Sequence, residues 1–282
     1  MENIRQALER SREPKVGHAE QKEYIQTHPP RPLSDTDAAV AGLGVTQKRE
    51  IMLNAAHLES KRIIAHDETD PRSKTFDMLR TQVLQSMDQK NWNILGITSP
   101  SPGCGKTLTA INLALSIARR PERSALLVDL DLQKPQDANY LGVNCECGVV
   151  SVLEGRASLS DAIIPTRIGN CQMLILPAEG TTLDSSARMS SRALGTMIQE
   201  LKRDFRSHTV ILDLPPMLST DDVISIMPQL DCVLLVAAVG RTKISEIEEC
   251  NKHLRSTEVL RIVLNKVPNF NAEYYSYYGS RP

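Results

Sequence analysis

Ser99-Pro100-Ser101-Pro102-Gly103-Cys104-Gly105-Lys106-Thr107 constrains the fold more than any other stretch of this 282-residue chain. It follows an apolar run, Ile94-Leu95-Gly96-Ile97-Thr98, and opens an amphipathic one from Leu108 to Ala118. That order predicts a strand, a glycine-containing loop and a helix. Such a loop cradles phosphate: its backbone N–H groups face an anion at a helix N-terminus, the lysine reaches the terminal phosphates and the threonine hydroxyl binds Mg²⁺. Pro102, Gly103, Cys104, Gly105, Lys106, Thr107 and Leu108 therefore form the expected phosphate-binding set. The ligand they imply is a nucleoside triphosphate.

The rest of the chain agrees with that opening. From Asn91 onward, apolar strand candidates at 92–98, 124–130, 172–176, 209–213, 232–238 and 259–264 alternate with helical stretches at 106–119, 188–204 and 242–256. The alternation predicts an α/β fold, a doubly wound and mostly parallel sheet of the P-loop NTPase type. Before it, helices are expected at about 47–65 and 75–89, the second with Phe76, Leu79, Val83 and Met87 on one stripe. The predicted organisation is a disordered arm over 1–45, a helical lead-in over 46–90, the nucleotide-binding domain over 91–268 and a tail over 269–282.

Chain geometry nominates the acids that belong with the loop. A helix from Lys106 to Arg119 carries the backbone ~20 Å away at 1.5 Å per residue. After Pro121, the strand Ser124-Ala-Leu-Leu-Val-Asp129 returns a similar distance. Asp129 and Asp131 should thus reach the same sheet edge as the loop, where ligands bind in open α/β sheets. The run Thr209-Val-Ile-Leu-Asp213 also ends in an acid, as expected of a carboxylate that holds the Mg²⁺ shell. Turn caps would explain any one of these aspartates, but not three at strand ends beside a phosphate loop. Two acids at 129 and 131 exceed the need of one metal, so one of them is available to accept a proton from an attacking hydroxyl or water.

Composition excludes several other classes. Net charge is −1, with Lys and Arg spread along the chain, which argues against nucleic-acid binding by bulk charge. The longest apolar run, Cys232 to Val239, is far short of the ~20 residues of a membrane span, and the charged N-terminus has no apolar signal core. A cytoplasmic protein is expected. Of the six cysteines, Cys145 and Cys147 lack a second pair at zinc spacing, and Cys171, Cys232 and Cys250 read as core residues. Cys104, inside the loop, is either a small residue tolerated between two glycines or a redox-sensitive thiol.

Aromatic residues make up only 4% of the chain, yet four of its six tyrosines fall in Tyr274-Tyr275-Ser276-Tyr277-Tyr278. A phenol is neutral at pH 7, so its phosphorylation requires a base. An edge strand packed on the domain is the other reading of this cluster. The loop, Leu126-Leu-Val-Asp-Leu-Asp131 with Pro135, Val210-Ile-Leu-Asp-Leu-Pro-Pro216 and the tyrosine cluster together resemble the bacterial tyrosine autokinases, over about residues 70–282. The resemblance implies an ATP-dependent protein-tyrosine autokinase that regulates capsular or exopolysaccharide synthesis and export. It further implies Lys106 and Thr107 on phosphates and Mg²⁺, Asp129 and Asp131 binding metal and activating tyrosine, and Asp213 as a further metal ligand. Tyr274, Tyr275, Tyr277 and Tyr278 would be the phosphoacceptors. As in related P-loop folds, Asn265 is expected near the nucleotide base, although a polar strand end explains it as well.

Family members self-associate into rings and are activated by a membrane chain-length-determinant protein, here expected as a separate chain that recruits this one to the inner face of the membrane. Four departures accompany the resemblance. Pro100 occupies a position usually small, Gln133 replaces an arginine, and the tyrosine cluster is short. The ring-contact pattern Glu-x-x-Arg-x-x-Arg reads Lys74, Asp77 and Arg80, with the first two charges reversed, which weakens the expected self-association. Two alternatives stay open: a non-kinase ATPase switch akin to partition and division-site ATPases, whose signature lysine would stand at Ser101, and a nucleotide-binding regulatory adaptor.

Overall fold

The computed structural model describes residues 48–181, 184–254 and 257–268. The arm over 1–45 and the tail over 269–282, with its four tyrosines, lie outside the described residues. One eight-stranded sheet organises the chain, in the order β1-β4-β5-β3-β6-β2-β7-β8. Its strands are β1 Ile51–Met52, β2 Ile94–Thr98, β3 Ser124–Asp129, β4 Ile164–Ile168, β5 Cys171–Leu176, β6 His208–Asp213, β7 Cys232–Ala238 and β8 Glu258–Asn265. Every pairing is parallel except β4 with β5. Strands β2, β6 and β7 are buried along their whole length, as expected of parallel strands covered on both faces, and β7 is apolar throughout.

The helices are α1 Ala55–Ser60, α2 Ser73–Lys90, α3 Lys106–Ala118, α4 Asp137–Leu141, α5 Val149–Leu153, α6 Leu159–Ala162, α7 Ser185–Met189, α8 Arg192–Asp204, α9 Asp222–Ile226 and α10 Ile244–His253. They divide the apolar interior into two cores on opposite sheet faces. One gathers Phe205, Leu194 and Ile198 against Leu126, Val210 and Val233. The other gathers Ile111, Leu115, Val83 and Met87 against Leu95, Leu127 and Leu234. Cys171, Cys232 and Cys250 are buried, as expected.

Four local expectations are corrected. The predicted helix over 47–65 is instead the short β1, paired with β4, and the six-residue α1, capped by Asn54 Oδ1 accepting the His57 N–H at 3.0 Å. The chain beyond α1 is held by the interior: Asn112 Oδ1 accepts the N–H groups of Ile64 and Ala65 at 2.8 and 3.0 Å. The helix predicted over 188–204 breaks at Ser190–Ser191, where Ser191 caps α8 through the Leu194 N–H at 3.1 Å. Strand β4, which contains Pro165, was not predicted; it joins β5 through the two residues Gly169-Asn170. Finally, α3 is buried nearly all round rather than amphipathic, because α2 covers the side that would face water.

The order of the central strands positions the site. Strand β6 lies between β2 and β3, with Asp213 in register with Ile97 on one side and Asp129 on the other. The glycine loop and two of the acids therefore leave the sheet from three adjacent strands at one edge.

Candidate functional site

The loop between β2 and α3 is held from two sides. Thr98 Oγ1 donates to the Pro215 carbonyl at 2.7 Å, and the N–H groups of Met217 and Leu218 reach the carbonyls of Ser99 and Pro100 at 2.8 and 3.1 Å. Pro100 thus serves the loop through its carbonyl. From the other side, Asn265 Nδ2 donates to the Cys104 carbonyl at 2.9 Å and Lys266 Nζ to the Gly103 carbonyl at 2.7 Å. Gly105, the residue preceding α3, has φ +96°, and a Cβ there would lie 2.1 Å from Asn265 Nδ2. Glycine is required at 105 both by backbone hand and by this close approach.

Cys104 packs inside the loop, with Sγ 3.4 Å from Thr242 Oγ1 and 3.7 Å from Ser101 Oγ. Burial works to raise its pKa, but the hydrogen bonds from Thr242 and Ser101 outweigh it and hold the thiol below its ordinary value.

The acids converge on the loop's lysine. Lys106 Nζ lies 2.8 Å from Asp131 Oδ2 and 3.3 Å from Asp213 Oδ2, and Thr107 Oγ1 donates to Asp213 Oδ2 at 2.6 Å. Asp129 accepts three backbone N–H groups, from Asp131 at 3.1 Å, Gln136 at 3.0 Å and Asp137 at 3.1 Å. Burial alone would discharge Lys106, yet Asp213 and Asp131 hold its pKa above the usual lysine range. Burial, with the Asp213 charge next, lifts Asp129 to about 7. Burial likewise raises Asp213. The residues nominated at strand ends are thus brought together as expected. Leu108 lies in the first turn of α3.

Asp137, at the start of α4, was missed by sequence reasoning. It is 2% exposed, and neither of its carboxylate oxygens has a hydrogen-bond partner among the described residues. Ligand atoms of Asp129, Asp137 and Asp213 lie within 4.8 Å of one another. An oxygen-only donor set of this kind, with the Thr107 hydroxyl on Asp213, fits Mg²⁺. The sequence marks it only as a fourth acid two residues beyond Pro135, which does not by itself bring it to the site.

An open pocket of about 240 Å³ lies over these groups, lined among others by Gly103, Lys106, Thr107, Asp131, Gln133 and Tyr140. Gln133, standing where the resemblance expects arginine, ties this segment to α7 and α9: its Nε2 donates to Ser185 Oγ at 2.9 Å and Asp222 Oδ2 at 3.3 Å. The expected ring-contact residues are placed differently from one another. Lys74 is exposed. Asp77 Oδ1 instead accepts from Arg80 Nη1 and Ser116 Oγ, both at 2.8 Å, and pairs with Arg119. Arg80, 4% exposed, also donates to the Ser116 carbonyl at 2.9 Å. Two of the three positions are therefore engaged within the subunit, binding α2 to α3.

The family model described as AAA domain matches residues 93–257. Tyrosine-protein kinase CpsD of Streptococcus pneumoniae serotype 4 is 30% identical over 68% of this chain and 83% of its own. EpsB of Ralstonia solanacearum is 30% identical over 89% of this chain but only 32% of its own, so the chain spans about a third of that relative. Among solved structures, the kinase domain of the Escherichia coli tyrosine kinase ETK superposes with a TM-score of 0.63 at 26% identity, covering 69% of this chain and 75% of that one. Among the described residues, no helix is long and apolar enough to cross a membrane.

Proposed function

The chain belongs to the bacterial tyrosine-kinase family of P-loop proteins, and from that premise we propose that it transfers the γ-phosphoryl group of ATP to tyrosine in the control of capsular or exopolysaccharide assembly. The observation that carries the proposal is the Lys106 ammonium held between Asp131 and Asp213 beneath a glycine loop. A P-loop lysine so placed needs only to turn from carboxylate to phosphate to grip a nucleotide.

In this reading Gly103 to Thr107 receive the phosphates, and Thr107, Asp129 and Asp213 hold Mg²⁺. The metal supplies charge neutralisation on the β- and γ-phosphates. Asp131 lines the pocket, and its Oδ2 is released when Lys106 turns away to phosphate. It is then placed to take the phenol proton while the tyrosine oxygen bonds to the γ-phosphorus and the bond to ADP breaks. Asp129, fixed by three N–H groups, keeps its carboxylate turned to the metal side. The acceptors are Tyr274, Tyr275, Tyr277 and Tyr278, delivered by a second copy of the chain. Activation comes from a membrane chain-length-determinant protein, which recruits the kinase to the cytoplasmic face of the membrane.

Incubation of the purified chain with γ-labelled ATP and Mg²⁺, alone and with that membrane protein, tests the reading. Label retained on tyrosine is expected. Release of labelled phosphate with none retained would instead identify an ATPase switch.

A further inference from the structure

Asp137 is the buried charged group that the transfer reading leaves without a task. Its backbone N–H donates to Asp129 Oδ2 at 3.1 Å, which pins the start of α4 against the site. Its own carboxylate oxygens accept no hydrogen bond from the described residues. The surrounding acids are provided for: Asp129 has three N–H donors, Asp131 has Lys106, and Asp213 has Lys106 and Thr107. A buried carboxylate without donor or counter-ion carries a desolvation cost, and no hydrogen bond or ion pair among the described residues offsets it here. Packing does not explain it, since an apolar side chain would fill the same space without that cost.

Position supplies the explanation. A ligand oxygen of Asp137 comes within 4.8 Å of those of Asp129 and Asp213, so three carboxylates from three segments face one small volume. Four acids surround the site and Lys106 answers only two of them. A divalent cation with oxygen ligands balances that excess.

We propose that Asp137 is a direct ligand of a divalent cation, and that Asp129, Asp137 and Asp213 hold this cation in the absence of nucleotide. Mg²⁺ sites with one or two carboxylates depend on substrate phosphates to complete the shell. A third carboxylate removes that dependence, so the metal loads first and nucleotide arrives at a charged site. The inference rests on the reading of Asp129 and Asp213 as cation-holding groups.

Mn²⁺ titrated into the full, EDTA-stripped, nucleotide-free chain and followed by electron paramagnetic resonance tests it. One bound Mn²⁺ is expected, with affinity at least tenfold weaker in Asp137→Asn. The second readout is melting: Mn²⁺ should raise the Tm of the parent chain and not of Asp137→Asn, while in EDTA the variant melts no lower than the parent. Asp137→Ser should behave as Asp137→Asn does. Equal Mn²⁺ affinity in parent and variants, no Mn²⁺ bound without nucleotide, or variants that unfold in EDTA would each overturn the proposal. Neither ATP nor tyrosine enters this experiment, so its failure leaves the kinase reading standing, and an absence of phosphotyrosine would leave the cation site standing.

Discussion

Lys106 Nζ lies 2.8 Å from Asp131 Oδ2, inside the pocket that a nucleotide would enter. The loop's cation is therefore already neutralised, and phosphate must win it from a carboxylate. The exchange is favourable only because both partners are charge-assisted and the phosphate adds the backbone donors of the loop. Lys106→Ala removes the cation that Asp131 and Asp213 hold at this point, and nucleotide affinity should fall at least about 100-fold, on the order of 3 kcal/mol. Titration with a fluorescent ATP analogue measures it.

Asn265 predicts a smaller effect on the same property. Its amide fixes the Cys104 carbonyl at 2.9 Å, in the middle of the loop. Asn265→Ala should loosen nucleotide binding about tenfold, the worth of one well-placed hydrogen bond. Gly105→Ala should do more, since it meets both a φ of +96° and the Asn265 amide. Calorimetric titration of the two variants beside the parent should rank them in that order.

The charge at position 77 is structural. Asp77 joins Arg80, Arg119 and Ser116, so Asp77→Arg would place a third guanidinium among these groups. Lys74→Glu with Asp77→Arg restores the family's ring-contact charges on paper, yet it should unfold the α2–α3 contact before it can strengthen assembly. We expect Asp77→Arg to cost about 3 kcal/mol or more and Asp77→Asn about 1–2 kcal/mol in urea unfolding.

His208 governs part of the acid limb of stability. Burial lowers its pKa to about 4, against 6.5 for a free side chain. Between those values the unfolded chain binds a proton that the folded one refuses, so stability falls as pH drops from about 6.5 to about 4. The full loss attributable to this group is on the order of 3 kcal/mol. His208→Gln should flatten the decline over that window in denaturant midpoints measured against pH. An unchanged slope would show that other groups control it.

Much of this architecture was legible because apolar runs bounded by turns mark buried parallel strands, and each of the six strands read that way is present. Strand β4 was not, since Pro165 and Arg167 disguise it, although the Gly169-Asn170 pair that follows is a hairpin signal. The segment around Ile63 to Ala65 was misread as helix because what shapes it is Asn112, far away in sequence. In the site, Lys106 and Thr107 could be found from the glycine loop, and Asp129, Asp131 and Asp213 from strand ends and chain reach. Asp137 could not, because its approach depends on a turn wrapped around the Asp129 carboxylate, a tertiary detail that no periodicity encodes.

The central claim is transfer to the chain's own tyrosines through these acids. Mass-spectrometric mapping of the chain after incubation with ATP and Mg²⁺, beside Asp129→Ala, tests it most directly. Phosphate is predicted on Tyr274, Tyr275, Tyr277 or Tyr278 in the parent and on none of them in Asp129→Ala, which should still bind nucleotide. Nucleotide turnover with all four tyrosines unmodified, or equal modification in Asp129→Ala, would contradict it.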